Sequence, residues 1–408
     1  MSSSLTGQRP IALQGAAAPT ITTRVLDPRA LGAADLAAWR HLEGRAAEPN
    51  GYLSPNFVLP ALRHLDPSLA VRLVVAEQPG PDERRLLGLA LVHSQAPTRA
   101  LPLPHLAGYA SRHSYLGHWL LERDHAPTAA LALLRALRRR HPWAAALTLP
   151  QCPLDGPQAT ALRQAARALG SDITVTLRQQ RAMLLPATAG AAALRERLGQ
   201  KQHANQERCR RRLQEQGTLD WALLRGDADD TTVEHFLALE HGGWKLEEGT
   251  SLRSQPADEA FFTEMARGFI GDGRALFTEL RLDGRPIAST ANFVSGDMGF
   301  AFKVGWDDSL RKFGVGLLNE AGFVQQAPEL CADLRSVDSG AQPASFIEAL
   351  WPDRRELGTL QIPLNALGRL AVAGLDALRQ RRAAQRAAAE AAQAAETAKT
   401  APTAQDAA

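Results

Sequence analysis

The sequence predicts an α/β (α+β) chain of two tandem domains, each a mixed, largely antiparallel sheet flanked by helices, followed by a helical or disordered tail. Three observations predict it. Strand and helix patterns alternate from Ile21 to Leu177. The second half closes in an antiparallel meander whose hairpin turn is Asp283-Gly284, a dipeptide suited to the positive φ angles of a tight turn. That meander runs into a glycine-bearing loop at a helix start, Arg311-Lys-Phe-Gly314-Val-Gly316. The 408 residues suit two domains of about 100–200 residues with extra segments. The expected divisions are a flexible leader over 1–19, domains over 20–180 and 181–365, and an Ala/Arg-rich tail over 366–408.

In the first half, a β-rich run at Ile21 to Val25 precedes a helical face formed by Leu36, Trp39 and Leu42. A turn-rich stretch, Glu48-Pro-Asn-Gly-Tyr52-Leu-Ser-Pro-Asn-Phe57, enters a second helix at Ser54-Pro55, with proline at the first helical position. Val71 to Glu77 and Leu86 to His93 form a strand pair. Ala126 to Arg140 is an amphipathic helix stopped by Pro142. A strand at Leu147 to Leu149, a helix over Gln158 to Leu169 and a strand at Ile173 to Leu177 complete the unit. His105, His113 and His118 lack the cysteine or carboxylate frame of a metal site, so no metal is expected.

The second half opens with a basic helix in which Lys201, Asn205 and Arg208 stand at i, i+4 and i+7, on roughly one face. A solvated face is the physical default for such a helix. A strand at Asp220 to Arg225 and a helix at Thr232 to Glu240 follow. Then comes a glycine-flanked loop carrying Trp244 and Lys245, which suits the rim of a pocket as well as plain packing. Asp258 to Ile270 is amphipathic. Ala275 to Leu282, Ile287 to Val294 and Gly299 to Trp306 are the strands of the meander. In the last of these, Phe300, Phe302, Val304 and Trp306 share one face, with Lys303 on the other. Cys331 to Val337 reads as one more strand, ending at Asp338.

A strand feeding a glycine loop at a helix start presents unpaired N–H groups and the positive end of the helix dipole. Arg311, Phe313, Gly314, Val315 and Gly316 therefore form a candidate anion cradle, glycine allowing a diphosphate to approach where no Cβ intervenes. Neither Gly-x-Gly-x-x-Gly nor Gly-Lys-Ser/Thr occurs at this junction, which excludes the dinucleotide and P-loop readings.

Arg-x-x-Gly-x-Gly in this position resembles the pyrophosphate loop of the GNAT acyltransferases, which implies acetyl-CoA or another acyl-CoA as co-substrate. Further stretches resemble the CelD/BcsL-type acetyltransferases, a group with FemAB-like tandem GNAT architecture. They are the segment around Tyr52 to Phe57, His113-Ser-Tyr-Leu-Gly117, the helix of Lys201, Asn205 and Arg208, the Glu240 to Thr250 loop, and Trp351-Pro-Asp353-Arg354-Arg355. This resemblance implies two GNAT-like domains, the first without a coenzyme site. It also implies an amine acceptor, a small molecule, sugar nucleotide or saccharide, in cellulose or exopolysaccharide synthesis and alongside its machinery. Substrate-binding residues would be Trp244, Lys245, Lys201, Asn205 and Arg208, with Lys303 completing the set. Asp338 and Glu240 are the candidate proton acceptors, and a helix or turn cap is an equally physical role for Asp338.

Composition narrows the setting. A net charge of +3 is too small to argue for DNA binding, and no apolar run approaches the ~20 residues of a membrane span. Three widely separated cysteines fit a reduced, cytoplasmic chain. Two other functions stay open: a FemAB-like transferase using aminoacyl-tRNA, and a non-catalytic degenerate GNAT binding module.

Overall fold

The computed structural model describes residues 21–80 and 85–400, so the leader expected over 1–19 and the end of the tail lie outside the described residues. Seven strands come from the first half: β1 (Thr22–Leu26), β2 (Arg72–Gln78), β3 (Arg85–Gln95), β4 (His105–Gly108), β5 (Leu120–Leu121), β6 (Ala146–Pro153) and β7 (Thr174–Leu184). Six follow: β8 (Leu219–Leu224), β9 (Ala275–Leu282), β10 (Arg285–Ser295), β11 (Met298–Trp306), β12 (Ser336–Asp338) and β13 (Asp353–Pro363). The helices are α1 (Ala33–Gly44), α2 (Pro55–Pro60), α3 (Ala126–Arg140), α4 (Pro157–Ala168) and α5 (Ala191–Gln214). They continue with α6 (Asp230–Glu240), α7 (Gly243–Glu247), α8 (Pro256–Gly271), α9 (Val315–Leu330) and α10 (Ala366–Thr400).

One sheet runs through both halves in the order β1-β2-β3-β4-β6-β13-β7-β12-β11-β10-β9-β8, with β5 on β3. The last strand, β13, pairs antiparallel with β6 of the first half, and β7 pairs with β12 of the second. β13 and β7 also pair with each other from Asp353↔Met183 to Gln361↔Thr174. The division expected near residue 180 therefore falls inside β7. Each half supplies a strand to the other, so neither leaves an open sheet edge at the junction.

The period-2 pattern of the strands loads both faces of the sheet. On one face, α1, α2, α6 and α8 cover a core that includes Trp39, Phe57, Phe236, Phe261 and Phe293. On the other, α3 and α4 cover the first half while α5 and α9 cover the second. Tyr52 and Phe57 are core residues that join the halves: Tyr52 meets Phe300 edge-on at 5.8 Å and Phe57 meets Phe261 at 5.2 Å. Helix starts follow local chemistry. Asp229 and Thr232 form a reciprocal capping box on α6, and Pro256 opens α8.

The strand read from Cys331 is shorter than expected. Leu334 N–H bonds back to Cys331 O in a turn, and only Ser336–Asp338 pair as strand. α10 rests on the sheet through Val372, buried with Leu101 and Ala146, and its residues 381–390 are exposed. No helix among the described residues is long and apolar enough to cross a membrane.

Candidate active site

β11 and β12 run parallel and pair over Met298↔Ser336, Gly299↔Val337 and Phe300↔Asp338. There β12 ends, while β11 continues to Trp306 with its β12-side edge left open. The pairing of β11 with β10 shifts between Ala291 and Asn292, so one residue of β11 bulges where the strands part. On the β12 side the chain turns through Gly340 at φ +62°, where a Cβ would stand 2.6 Å from Ala301 O. The result is a V that opens toward the loop after β11.

That loop is a 3₁₀ turn, Asp308–Phe313, started by Asp307, whose carboxylate accepts from Ser309 N–H at 3.1 Å. Phe313 is buried against Leu213 and Val315, which fixes the turn to α5. Gly314 then adopts φ +63°, and α9 begins with no side chain capping it. Its first ladder bond is Leu318 N–H to Gly314 O, so the amides of Val315, Gly316 and Leu317 precede the ladder. At Gly316 a Cβ would stand 3.1 Å from the Trp306 ring, and any larger side chain would intrude on the space in front of these amides.

Two cavities meet along the V, and Phe346 lines both. One, of about 390 Å³, is walled by Trp306, Arg311, Gly314, Gly316 and Leu317. The other, of about 260 Å³, lies deeper, between Thr290, Val304, Glu320 and Trp351 on one side and Tyr115, Lys245 and Lys303 on the other. Glu320 is buried and accepts from Thr290 Oγ1 at 2.5 Å; burial raises its carboxyl to about 7. Lys245 Nζ donates to Val304 O at 2.6 Å and reaches Glu240 Oε1 at 3.2 Å. Burial lowers the Lys245 pKa, and the Lys303 charge lowers it further. Burial likewise raises the Tyr115 phenol.

Residues 200–346 match the family model of the acetyltransferase (GNAT) domain. The match spans β8 to β12 and contains the V, the loop and α9. Among solved structures the chain is similar to FemX, at TM-score 0.53 and 11% identity over 81% of this chain and 96% of that one. It is also similar to the C-terminal domain of a putative lysylphosphatidylglycerol synthetase from Agrobacterium fabrum, at TM-score 0.50 and 13% identity, covering 84% and 95%. A conserved protein of unknown function from Bacteroides thetaiotaomicron gives TM-score 0.50 and 11% identity, covering 84% and 100%. At these identities the likeness is one of fold, and no curated protein matches the sequence.

The region matched by that model brings Arg311, Gly314, Val315 and Gly316 to one cavity and Lys245 and Lys303 to the other. Phe313 faces the core, leaving its backbone to the loop. Asp338 is fully buried. Its oxygens take Arg355 at 3.1 Å, Arg181 at 3.5 Å and Gly340 N–H at 2.9 Å. Glu240 is fully buried too, accepting from Lys245 and from Leu252 N–H. Neither carboxylate lines the cavities. Lys201, Asn205 and Arg208 lie exposed on α5, away from both linings, with Arg208 donating to Asn205. The Trp244 side chain lies outside what is described. Glu320 and Tyr115 escaped the sequence reading. The legible signal for Glu320 is the polar pair Asn319-Glu320 inside the apolar run Val315 to Val324, with Glu320 one helical turn after Gly316. Among the described residues, no group of three or more His, Cys, Asp or Glu is placed to hold a metal ion.

Proposed function

We propose that the chain transfers an acyl group from an acyl-CoA to an amine. The observation that carries this reading is the V between β11 and β12 opening onto the uncapped start of α9. The thioester would supply the activated acyl group. The amides of Val315, Gly316 and Leu317 fit a diphosphate, with Arg311 adding charge, and the open edge of β11 suits an extended arm. The amine lone pair forms the N–C bond, the C–S bond breaks with its electrons on sulfur, and the amine proton must leave. Glu320 is the carboxylate lining the deeper cavity, and a pKa of about 7 suits a proton acceptor near neutrality. Asp338 and Glu240 then act as positioning residues, Asp338 for the Gly340 turn and Glu240 for Lys245.

The first half suits a structural partner. Its parallel pair β4 and β6 is crossed by the segment Leu116 to Trp119, with Leu116 in the core of one face and Trp119 in that of the other. A saccharide or sugar-nucleotide acceptor in exopolysaccharide synthesis rests on the sequence resemblances alone.

A second reading, aminoacyl-tRNA as donor, draws on one feature. Arg208, Arg210, Arg211 and Arg212 are exposed on α5, whose Cys209 and Leu213 pack against Phe313 and Val315 beside the loop. Calorimetry with acetyl-CoA on the unmutated protein, Arg311→Ala and Gly316→Val tests the first reading, followed by turnover over a panel of amines. No binding to the unmutated protein would sink it. Transfer that requires charged tRNA would support the second, and coenzyme binding without turnover on any amine would leave a binding module.

A further inference from the structure

The deeper cavity has two unlike walls. The wall on the α9 side is apolar apart from Thr290 and Glu320, and includes Ala301, Ile347 and Trp351. It adjoins the space in front of the loop amides. The opposite wall, formed by Tyr115, Lys245 and Lys303, is the side left for a second substrate.

Charges on and behind that wall do not balance. Lys245 is matched by Glu240. Behind them Asp258 serves both Arg112, at 2.7 Å, and His113, at 2.7 Å. Asp338 and Glu48 are matched by Arg181 and Arg355. Lys303, only partly exposed, has no ion pair or side-chain hydrogen bond among the described residues, and it lines the cavity. Its field is felt by its neighbours: after burial, the Lys303 charge is the largest influence lowering His113, and it lowers Lys245 as well. At the acceptor wall Lys303 is therefore an ammonium with no carboxylate in contact among the described residues, Glu320 being the carboxyl on the opposite wall of the same cavity.

This excess charge acts on an amine in two opposed ways. It lowers the pKa of an incoming ammonium, which favours the neutral, nucleophilic form that the transfer needs. It also repels that ammonium on approach. An acceptor that carries its own anion escapes the repulsion and supplies Lys303 with the missing partner.

Resting on the transferase reading above, we propose that the acceptor is an amine that also bears an anionic group, a carboxylate or a phosphate, and that Lys303 binds that group. The matched pairs glucosamine with glucosamine 6-phosphate, and ethylamine with β-alanine, differ in the anion and separate phosphate from carboxylate. The experiment measures acetyl-CoA affinity by calorimetry, binding of each amine to the coenzyme A-bound protein, and kcat and KM with acetyl-CoA, for the unmutated protein, Lys303→Ala and Lys303→Arg.

The expected result is a preference of about 10-fold or more for at least one anionic member, seen in binding and in KM, reduced to about 2-fold in Lys303→Ala and kept in Lys303→Arg. Acetyl-CoA affinity should stay the same in all three proteins. Equal binding of both members of each pair by the unmutated protein overturns the inference, as does a preference that survives Lys303→Ala. A loss of acetyl-CoA affinity in Lys303→Ala overturns it too, because Lys303 would then contact the coenzyme. Failure of the unmutated protein to bind acetyl-CoA is a different outcome: it removes the transferase reading and the inference together.

Discussion

Arg355, on β13, donates to Asp338 Oδ2 at 3.1 Å, and its other nitrogen reaches Glu48 of the first half at 2.5 Å. Arg181 on β7 approaches the remaining oxygen of Asp338 at 3.5 Å. The chain Glu48, Arg355, Asp338, Arg181 is buried throughout. It ties both exchanged strands to the turn at Gly340 that bounds the V.

Neutralising Asp338 leaves Arg181 buried without its countercharge and Arg355 with Glu48 alone. Asp338→Asn is expected to destabilise the protein by about 3–5 kcal/mol, read from urea unfolding. A variant that keeps its stability but loses turnover would show instead that Asp338 accepts the proton.

A Cβ at Gly316 would stand 3.1 Å from the Trp306 ring, a contact met by a shift of a few tenths of an ångström. Gly316→Val should weaken acetyl-CoA binding by about 10-fold or more, because the side chain occupies the approach to the loop amides. Thermal unfolding of the variant should stay within a few degrees of the parent, since Gly316 is in the helical first turn and only partly buried. Unchanged coenzyme affinity would place the diphosphate elsewhere.

Glu320 makes two linked predictions. As proton acceptor it must be ionised, so kcat/KM should rise with pH through about 7, and Glu320→Gln should lose most of the rate along with that limb. For stability the sign is opposite. A carboxyl whose folded pKa lies above its unfolded value favours folding at low pH and loses that contribution as pH rises through the folded pKa. Glu320→Gln should therefore gain stability relative to the parent as pH rises from about 4.5 to about 7, and keep that gain above it. A pH-independent difference in unfolding temperature would refute the burial account.

A chain ending at Arg382 should match the full chain in unfolding temperature and coenzyme affinity, because residues 381–390 are exposed whereas Val372 is buried against Leu101 and Ala146. Ending it at Asn365 should lower the unfolding temperature by several degrees, since this buried contact and the Arg379 hydrogen bonds to Gln361 and Ala100 disappear.

The glycine turn at the start of α9 was legible because its cause is local. Arg311-Lys-Phe-Gly314-Val-Gly316 needs only a strand before it, a helix after it and glycine where φ is positive, and each of these is written within about twenty residues. The meander was legible for the same reason, since Asp283-Gly284 sets its own turn, with Asp283 at φ +50° and Gly284 at φ +79°. The exchange of β7 and β13 left no such mark: both strands read alike whichever neighbour they pair with, and only the closing of sheet edges chooses between partners more than 150 residues away.

The surroundings of the carboxylates were decided in the same way. Asp338, Glu240 and Glu320 are alike as sequence characters. Two of them meet cations or amides brought from distant strands and loops, and the third is buried beside a cavity with a single hydroxyl partner. Ionisation depends on burial and on charges within a few ångströms, and those distances exist only once the sheet has assembled. The amino-acid sequence by itself thus determined the glycine turn at the start of α9, while the tertiary structure decided which side chains line the cavities around it.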